Sequence, residues 1–277
     1  MKTIVITGAT SGIGNLLVKE FSKQGCKVFA GYRDVKLKRN LAEISENVIP
    51  FRIDMSKKWA IAEAIKFILE KLGEDGKIDT LINAAGCVCA GPMECLDVDK
   101  IREQFEVNTF SHLEFTQGLF EKLHGGRIIN ISSEASYGLY PFVAPYCASK
   151  RALDILFNSM QIECSELVKV ISIKPGVVKT PLWEKSIENN KDILENNEKY
   201  EKEANFLVLN AKKSSKNGLE PQVVADFIVN VEGLEKPKSS YTIGNDAKWA
   251  SRLALLPQDW INFLVKTSFR ERMKKTC

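Results

Sequence analysis

The sequence predicts an α/β fold, a doubly wound parallel sheet with helices on both faces. Three observations carry this. Short apolar, β-branched runs recur along the chain, segments with helical periodicity lie between them, and a glycine-rich turn follows the first run directly. Runs that are apolar throughout belong to strands buried on both faces, as a parallel sheet requires.

Residues 3–7 (TIVIT) form the first predicted strand. Residues 13–23 form the first helix, with Ile13, Leu16, Leu17 and Phe21 on one face. Further strands are expected at 27–31, 48–53, 78–82, 127–131, 170–173 and 241–243. Helices are expected at 35–45, 59–72, 101–123, 146–167 and 222–231. One domain over residues 1–277 accommodates this order, with two departures from its rhythm. Residues 184–218 are rich in Glu, Asn and Lys and carry few apolar anchors, among them Ile193, Leu194, Phe206 and Leu207. That is too long for a plain connection, so it reads as a helical insertion or a lid over the substrate. Residues 245–277 form a C-terminal extension. Its apolar residues, from Trp249 to Val265, are expected to pack into the core; a cavity cap, a subunit interface and a membrane surface are the alternatives.

Hydrophobic residues make up 44% and charged residues 27% of the 277, which supports a packed core rather than disorder. The net charge of +4 is too small to argue for nucleic acid, and no Lys/Arg cluster is interleaved with aromatics. Seven cysteines without a CxxC, and only His112 and His124 as histidines, are poor material for a metal site, so none is expected. Free thiols fit a cytoplasmic protein. The chain enters a strand directly after Met1-Lys2, which leaves no room for a signal peptide, and no apolar run approaches the ~20 residues of a transmembrane helix.

Gly8-Ala9-Thr10-Ser11-Gly12-Ile13-Gly14 is GxxxGxG. Its spacing differs from the GxGxxG dinucleotide fingerprint, but the physics is shared. Glycines let the backbone approach a pyrophosphate, and the following helix N-terminus offers free N–H groups and a positive dipole end. The second strand ends near Tyr32-Arg33-Asp34. An acid there would hold the ribose hydroxyls of NAD, whereas an Arg accommodates the 2′-phosphate of NADP. Tyr32 takes the acidic position and Arg33 follows, so NADP(H) is favoured. NAD(H) stays possible, because a slip of one or two residues would bring Asp34 into play. Further on, Tyr146 and Lys150 are spaced i, i+4 on a predicted helix, so phenol and ammonium share one face.

Several segments line up behind these. Thr7 to Gly14 reads TGxxxGxG, and Asp54-Met55 follows the third strand. Asn83-Ala84-Ala85-Gly86 stands where an NNAG would, and Asn108 sits in Val107-Asn108-Thr109. Ser132 and Ser133 follow the fifth strand; Tyr146 to Lys150 is YxxxK; Pro175 to Thr180 is PGxxxT. In this order, over residues 3–181, the chain resembles the short-chain dehydrogenase/reductase family. The resemblance implies a Rossmann-type fold and a catalytic set of Asn108, Ser133, Tyr146 and Lys150; the family's serine stands 13 residues before the tyrosine, which selects Ser133 over Ser132. It implies a cofactor site formed by Gly8, Thr10, Ser11, Gly12, Ile13, Gly14, Tyr32, Arg33, Asp54, Met55, Asn83, Ala84, Gly86, Tyr146, Lys150, Pro175, Gly176, Val178 and Thr180. The segments Tyr241-Thr242-Ile243-Gly244, Asp246-Ala247-Lys248 and Leu255-Leu256-Pro257 resemble the subgroup that acts on steroids, retinoids and other lipophilic alcohols.

The implied reaction moves a hydride between nicotinamide and a carbonyl carbon while Tyr146 gives or takes the proton. Bringing a phenol from ~10 toward neutrality needs about 4 kcal/mol. An ammonium ~4 Å away supplies about 4 kcal/mol at an effective dielectric of 20, so Lys150, helped by the positive nicotinamide ring of the oxidised cofactor, is expected to acidify Tyr146. Ser133 would bind the substrate oxygen, and Asn108 would hold a water linking Lys150 to solvent. The expected function is an NADP(H)-dependent oxidoreductase of a bulky apolar substrate, a hydroxysteroid or ketosteroid, with Leu182, Trp183, Phe206 and Leu207 as lining candidates. Reduction of retinoid, acyl or sugar carbonyls and a non-catalytic dinucleotide sensor are the alternatives; intact Ser133, Tyr146 and Lys150 speak against the sensor. The family also implies a homo-oligomer, dimer or tetramer, paired through the two long helices. His112 and His124 read as surface or packing residues, Cys147 as an apolar filler, and Cys87 and Cys89 as neighbours of the cofactor.

Overall fold

The computed structural model describes residues 1–190 and 198–274. In chain order the elements are β1 (Thr3–Ile6), α1 (Gly12–Lys23), β2 (Lys27–Tyr32), α2 (Lys38–Ala42), β3 (Val48–Arg52), α3 (Lys58–Leu72), β4 (Thr80–Asn83), α4 (Val98–Phe105), α5 (Ser111–Leu119), β5 (Arg127–Ile131) and α6 (Ala144–Glu163). Then come β6 (Lys169–Pro175), α7 (Leu182–Asn189), α8 (Glu201–Asn217), α9 (Pro221–Gly233), β7 (Ser240–Ile243), α10 (Asn245–Leu253) and α11 (Gln258–Lys274). The seven strands form one parallel sheet in the order β3-β2-β1-β4-β5-β6-β7. The chain winds outward from β1 to β3 and then returns to β4 on the other side of β1. Connections from β1 and β4 therefore diverge, and a crevice opens at the carboxyl ends of those strands.

Side-chain alternation divides the core. Ile4 and Ile6 of β1 face Leu17, Val18 and Phe21 of α1 and Val224, Ala225 and Ile228 of α9. Val5 points the other way, into a layer with Ile61 and Ile68 of α3, Phe115 and Leu119 of α5, and Leu153 and Phe157 of α6. All of these side chains are fully buried.

The elements depart from the sequence expectation in four places. The helix expected over 35–45 is a short 3₁₀ turn followed by the five-residue α2, whose one buried residue is Leu41. The helix expected over 101–123 starts at Val98 and is interrupted by a π-turn at Glu106–Phe110, whose wider turn carries Asn108 into the interior. The helix expected over 146–167 starts at Ala144, where Pro145 suits the first turn, and ends at Glu163.

The fourth departure is the tail. It does not join the core: in α10 only Ala247 and Ala250 are buried, and in α11 no residue is. Both sheet faces are already covered, one by α1 and α9 and the other by α3, α5 and α6, so no apolar wall remains for it. Within 184–218 the chain forms α7 and α8, with Phe206 buried; Ile193 and Leu194 lie outside the described residues. Among the described residues no helix is long and apolar enough to cross a membrane.

Candidate active site

The crevice beside β1 opens into a cavity of about 560 Å³. One wall is the glycine turn. Gly8 has φ +65°, and a Cβ there would lie 2.8 Å from the Cα of Ala85. A Cβ on Gly14 would lie 2.3 Å from the carbonyl oxygen of Gly8, so only glycine lets α1 begin this close to the turn. Ser11 precedes α1 in extended conformation, and its side chain makes no capping hydrogen bond. The first-turn N–H groups of α1 are thus left uncapped where Ser11, Gly12, Ile13 and Gly14 line the cavity, a setting that suits an anionic diphosphate.

At the far rim stand Tyr32, at the last position of β2, and Arg33. The Asp34 carboxylate is turned away: it accepts from the backbone N–H of Lys36 at 2.9 Å and caps the 3₁₀ turn. Asp54 and Met55 line the same end, and Asp54 Oδ1 accepts from the N–H and Oγ of Ser56 at 3.0 and 2.8 Å.

The turn after β4 is pinned from behind. Thr7 Oγ1 accepts from the backbone N–H groups of Ala84 (3.0 Å) and Ala85 (3.3 Å), which holds Ala84 and Gly86 at the cavity. Asn83 is placed elsewhere: fully buried, it donates to Asn130 Oδ1 at 2.8 Å and Thr116 Oγ1 at 3.4 Å, and so ties β4 to β5 without lining the cavity. His112 is also fully buried, and its Nε2 donates to the Ala85 carbonyl at 3.0 Å. Burial, then the positive charge of Lys150, pulls the imidazole down to about 3, so it is neutral.

Asn108 does not line the cavity either. Its Nδ2 donates to the Cys87 carbonyl and Ser149 Oγ, both at 3.0 Å, and its Oδ1 accepts from the Cys87 N–H at 2.9 Å. A Cβ on Gly86 would lie 3.4 Å from Asn108 Oδ1 and 3.7 Å from Lys150 Nζ, so both groups flank one backbone position.

Ser133, Tyr146 and Lys150 share a wall of the cavity. Ser133 follows β5, accepts from the Ala135 N–H at 3.1 Å, and is hydrogen-bonded to Tyr146. Tyr146 is in the first turn of α6, and Lys150, one turn on, donates to the Ile131 carbonyl at 2.9 Å. Burial pushes the Tyr146 phenol up to about 12, against the opposing effect of its bond to Ser133. Burial also draws Lys150 down to about 8, opposed by the Asp154 carboxylate. The cost of a buried phenolate thus dominates at Tyr146 in the cavity without a nicotinamide ring, while the Lys150 ammonium is engaged by Ile131.

Pro175, Gly176, Val178 and Thr180 also line the cavity, as do Leu182 and Trp183, and a Cβ on Gly12 would lie 3.3 Å from Thr180 Cγ2. Phe206 and Leu207 are outside the cavity; Phe206 packs instead edge-on against Phe269 at 5.2 Å. Tyr146 packs in an apolar cluster with Val88, Ala135, Tyr140, Val143 and Leu182, of which Val88 and Leu182 also line the cavity. Sequence reasoning missed Lys100 and Gln104 of α4, and Lys185 and Asn190 at α7, all of which line the cavity. Asn190 is buried and pairs like a strand neighbour with the loop after β4: its Nδ2 donates to the Val88 carbonyl at 3.1 Å, and its Oδ1 accepts from the Ala90 N–H at 3.0 Å.

Comparison with known proteins decides what this crevice belongs to. The model of the short chain dehydrogenase family matches residues 2–191. The chain belongs to the short-chain dehydrogenase family. It is therefore an NAD(P)-dependent oxidoreductase acting on CH–OH or carbonyl groups. The probable short-chain type dehydrogenase/reductase VdlC of Helicobacter pylori is 33% identical over 276 residues, covering 95% of this chain and 96% of its own. The NADPH-dependent 3-dehydrocapnine reductase of Ornithobacterium rhinotracheale is 30% identical over 195 residues, covering 67% and 69%. A crystal structure of a short-chain dehydrogenase from Streptomyces avermitilis matches with a TM-score of 0.78 at 22% identity, covering 100% of this chain and 98% of its own; the two share the fold.

Proposed function

We propose that this short-chain dehydrogenase is an NADP(H)-dependent reductase of bulky apolar ketones, with ketosteroids, and the hydroxysteroids they yield, as the favoured class. The observation that carries it is the meeting of Ser133, Tyr146 and Lys150 on one wall of the cavity whose other wall is the glycine turn. The nicotinamide cofactor, when bound, supplies the hydride. The glycine turn and the uncapped N-terminus of α1 would hold its diphosphate, Asp54 and Met55 its adenine end, Arg33 its 2′-phosphate, and Lys150 its nicotinamide ribose. Ser133 and Tyr146 would hydrogen-bond the substrate oxygen. Tyr146, protonated at neutral pH, is the proton donor to that oxygen. Asn108 Oδ1, beside Lys150, offers an acceptor for a water that returns the proton to the site.

Two features support NADP(H): Arg33 at the rim with the Asp34 carboxylate engaged by Lys36, and the NADPH-dependent reductase among the relatives. Val88, Leu182 and Trp183 at the cavity support the bulky substrate, and α7, clamped to the loop after β4 by Asn190, supports a lid role for 184–218. Lys100, Glu103, Gln104 and Lys185 on the same cavity favour a second reading, a ketone with a polar or acyl end. Phe110, Ile155 and Ile162, exposed on the helical face of α4 to α6, support pairing of copies there.

The test is to follow absorbance of the reduced nicotinamide with NADPH and NADH over ketosteroids, retinal, acyl ketones and sugar ketones. Turnover of an apolar ketone with NADPH, abolished in Tyr146→Phe, is the expected result. Undiminished turnover in that variant, or a clear preference for NADH, would overturn the reading.

A further inference from the structure

We propose that the C-terminal tail, α10 with α11, docks the protein onto the surface of an anionic lipid bilayer. α11 has two unlike faces. Ile261, Val265 and Phe269, four residues apart, are half-buried. Phe269 stacks on Phe142 at 5.4 Å and meets Phe206 edge-on at 5.2 Å, which seats the helix on α8 and on the loop that precedes Tyr146. The outward face begins with Trp260, Phe263 and Leu264. Together with Leu255 and Leu256 in the preceding elbow and Trp249 on α10, these six large apolar side chains are 36% to 84% exposed. The sheet has no uncovered face to receive them.

Charge decides what covers this patch. Residues 245–277 carry seven basic and three acidic side chains, a net +4, while residues 1–244 balance at 32 against 32; Arg272 acts on Glu134, which leaves Lys248, Arg252, Lys266, Arg270 and Lys274 as the described basic residues offered to lipid. A symmetric second copy would set this positive patch against itself. An anionic bilayer satisfies both properties at once. Trp and Leu side chains enter the boundary between headgroups and acyl chains, and Lys and Arg meet lipid phosphates. Docking here would bring the bilayer beside the loop that leads into Tyr146.

The experiment uses the full chain with vesicles of phosphatidylcholine containing phosphatidylserine, and of phosphatidylcholine alone. The expected result is co-sedimentation with the anionic vesicles, release by salt, and a blue shift of tryptophan emission on binding. Trp260→Glu combined with Phe263→Glu should lower partitioning about tenfold or more with circular dichroism and thermal midpoint unchanged. Lys266→Glu combined with Lys274→Glu should abolish the preference for anionic lipid. No binding to anionic vesicles would overturn the proposal, as would equal binding by the Trp260/Phe263 variant. A wild-type dimer split by that variant in light scattering would show a subunit interface instead.

Discussion

Acidification should destabilise this fold through one residue behind the site, His112. Free imidazole titrates near 6.5, and in the fold it is held at about 3, by burial first and then by the charge of Lys150; the bond to Ala85 opposes both. Below pH 6.5 the unfolded chain takes up a proton on this ring, and the folded chain does not until about pH 3. The stabilisation is thus complete above 6.5 and is lost as pH falls through that window. At about 1.4 kcal/mol per pH unit the whole window amounts to about 5 kcal/mol, and about 2 kcal/mol is lost by pH 5. The assay is urea unfolding near pH 7 and pH 5 for the wild type and His112→Gln. The glutamine keeps a donor for the Ala85 carbonyl but cannot titrate, and carboxylates common to both proteins cancel in the difference. The wild type should lose about 2 kcal/mol more than the variant over this step. Equal losses would refute the burial argument.

Other outcomes test the site itself. Arg33→Ala should weaken NADPH binding by about tenfold to a hundredfold and leave NADH within about twofold, measured by cofactor fluorescence. Asn190→Ala leaves Ala90 N–H and Val88 C=O unpaired, a cost of ~1–3 kcal/mol. It should raise KM for the ketone about tenfold without changing NADPH affinity, and equal losses for both ligands would detach α7 from the substrate side. For reduction, kcat/KM should be flat around neutrality and fall as Lys150 loses its proton near pH 8. Lys150→Arg should move that limb to higher pH in whatever activity remains.

The strands and the reactive pair were legible because their signals are local. β-Branched runs mark β1, β4 and β5, and four-residue spacing alone puts Tyr146 and Lys150 on one face of α6. What stayed hidden depends on distant partners. The π-turn at Glu106–Phe110 exists where the Asn108 amide reaches Cys87 and Ser149, 21 and 41 residues away in sequence. Asn190 is one Asn in an Asn-rich stretch until the fold sets it against Val88 and Ala90, about a hundred residues earlier. Asn83 reads as a cofactor ligand from its motif, yet its amide is engaged by Asn130 and Thr116. Counting apolar residues in the tail does not tell core from surface, since the answer depends on which helices already cover the sheet.

The Tyr146–Lys150 pair shows the same limit in energetic form. A two-charge estimate gives the ammonium enough strength to acidify the phenol, but it omits what burial costs a phenolate. With that cost included, the phenol stands at about 12 and the ammonium at about 8. At neutral pH the fold therefore presents an O–H at the cavity wall and a cation behind it. Giving that proton to a carbonyl oxygen in reduction, or losing it ahead of oxidation, leaves the same phenolate, which burial disfavours. The burial that secures the core around α6 thus weighs on both directions of the reaction, and the group that relieves it must bring positive charge to Tyr146 from the open side of the cavity.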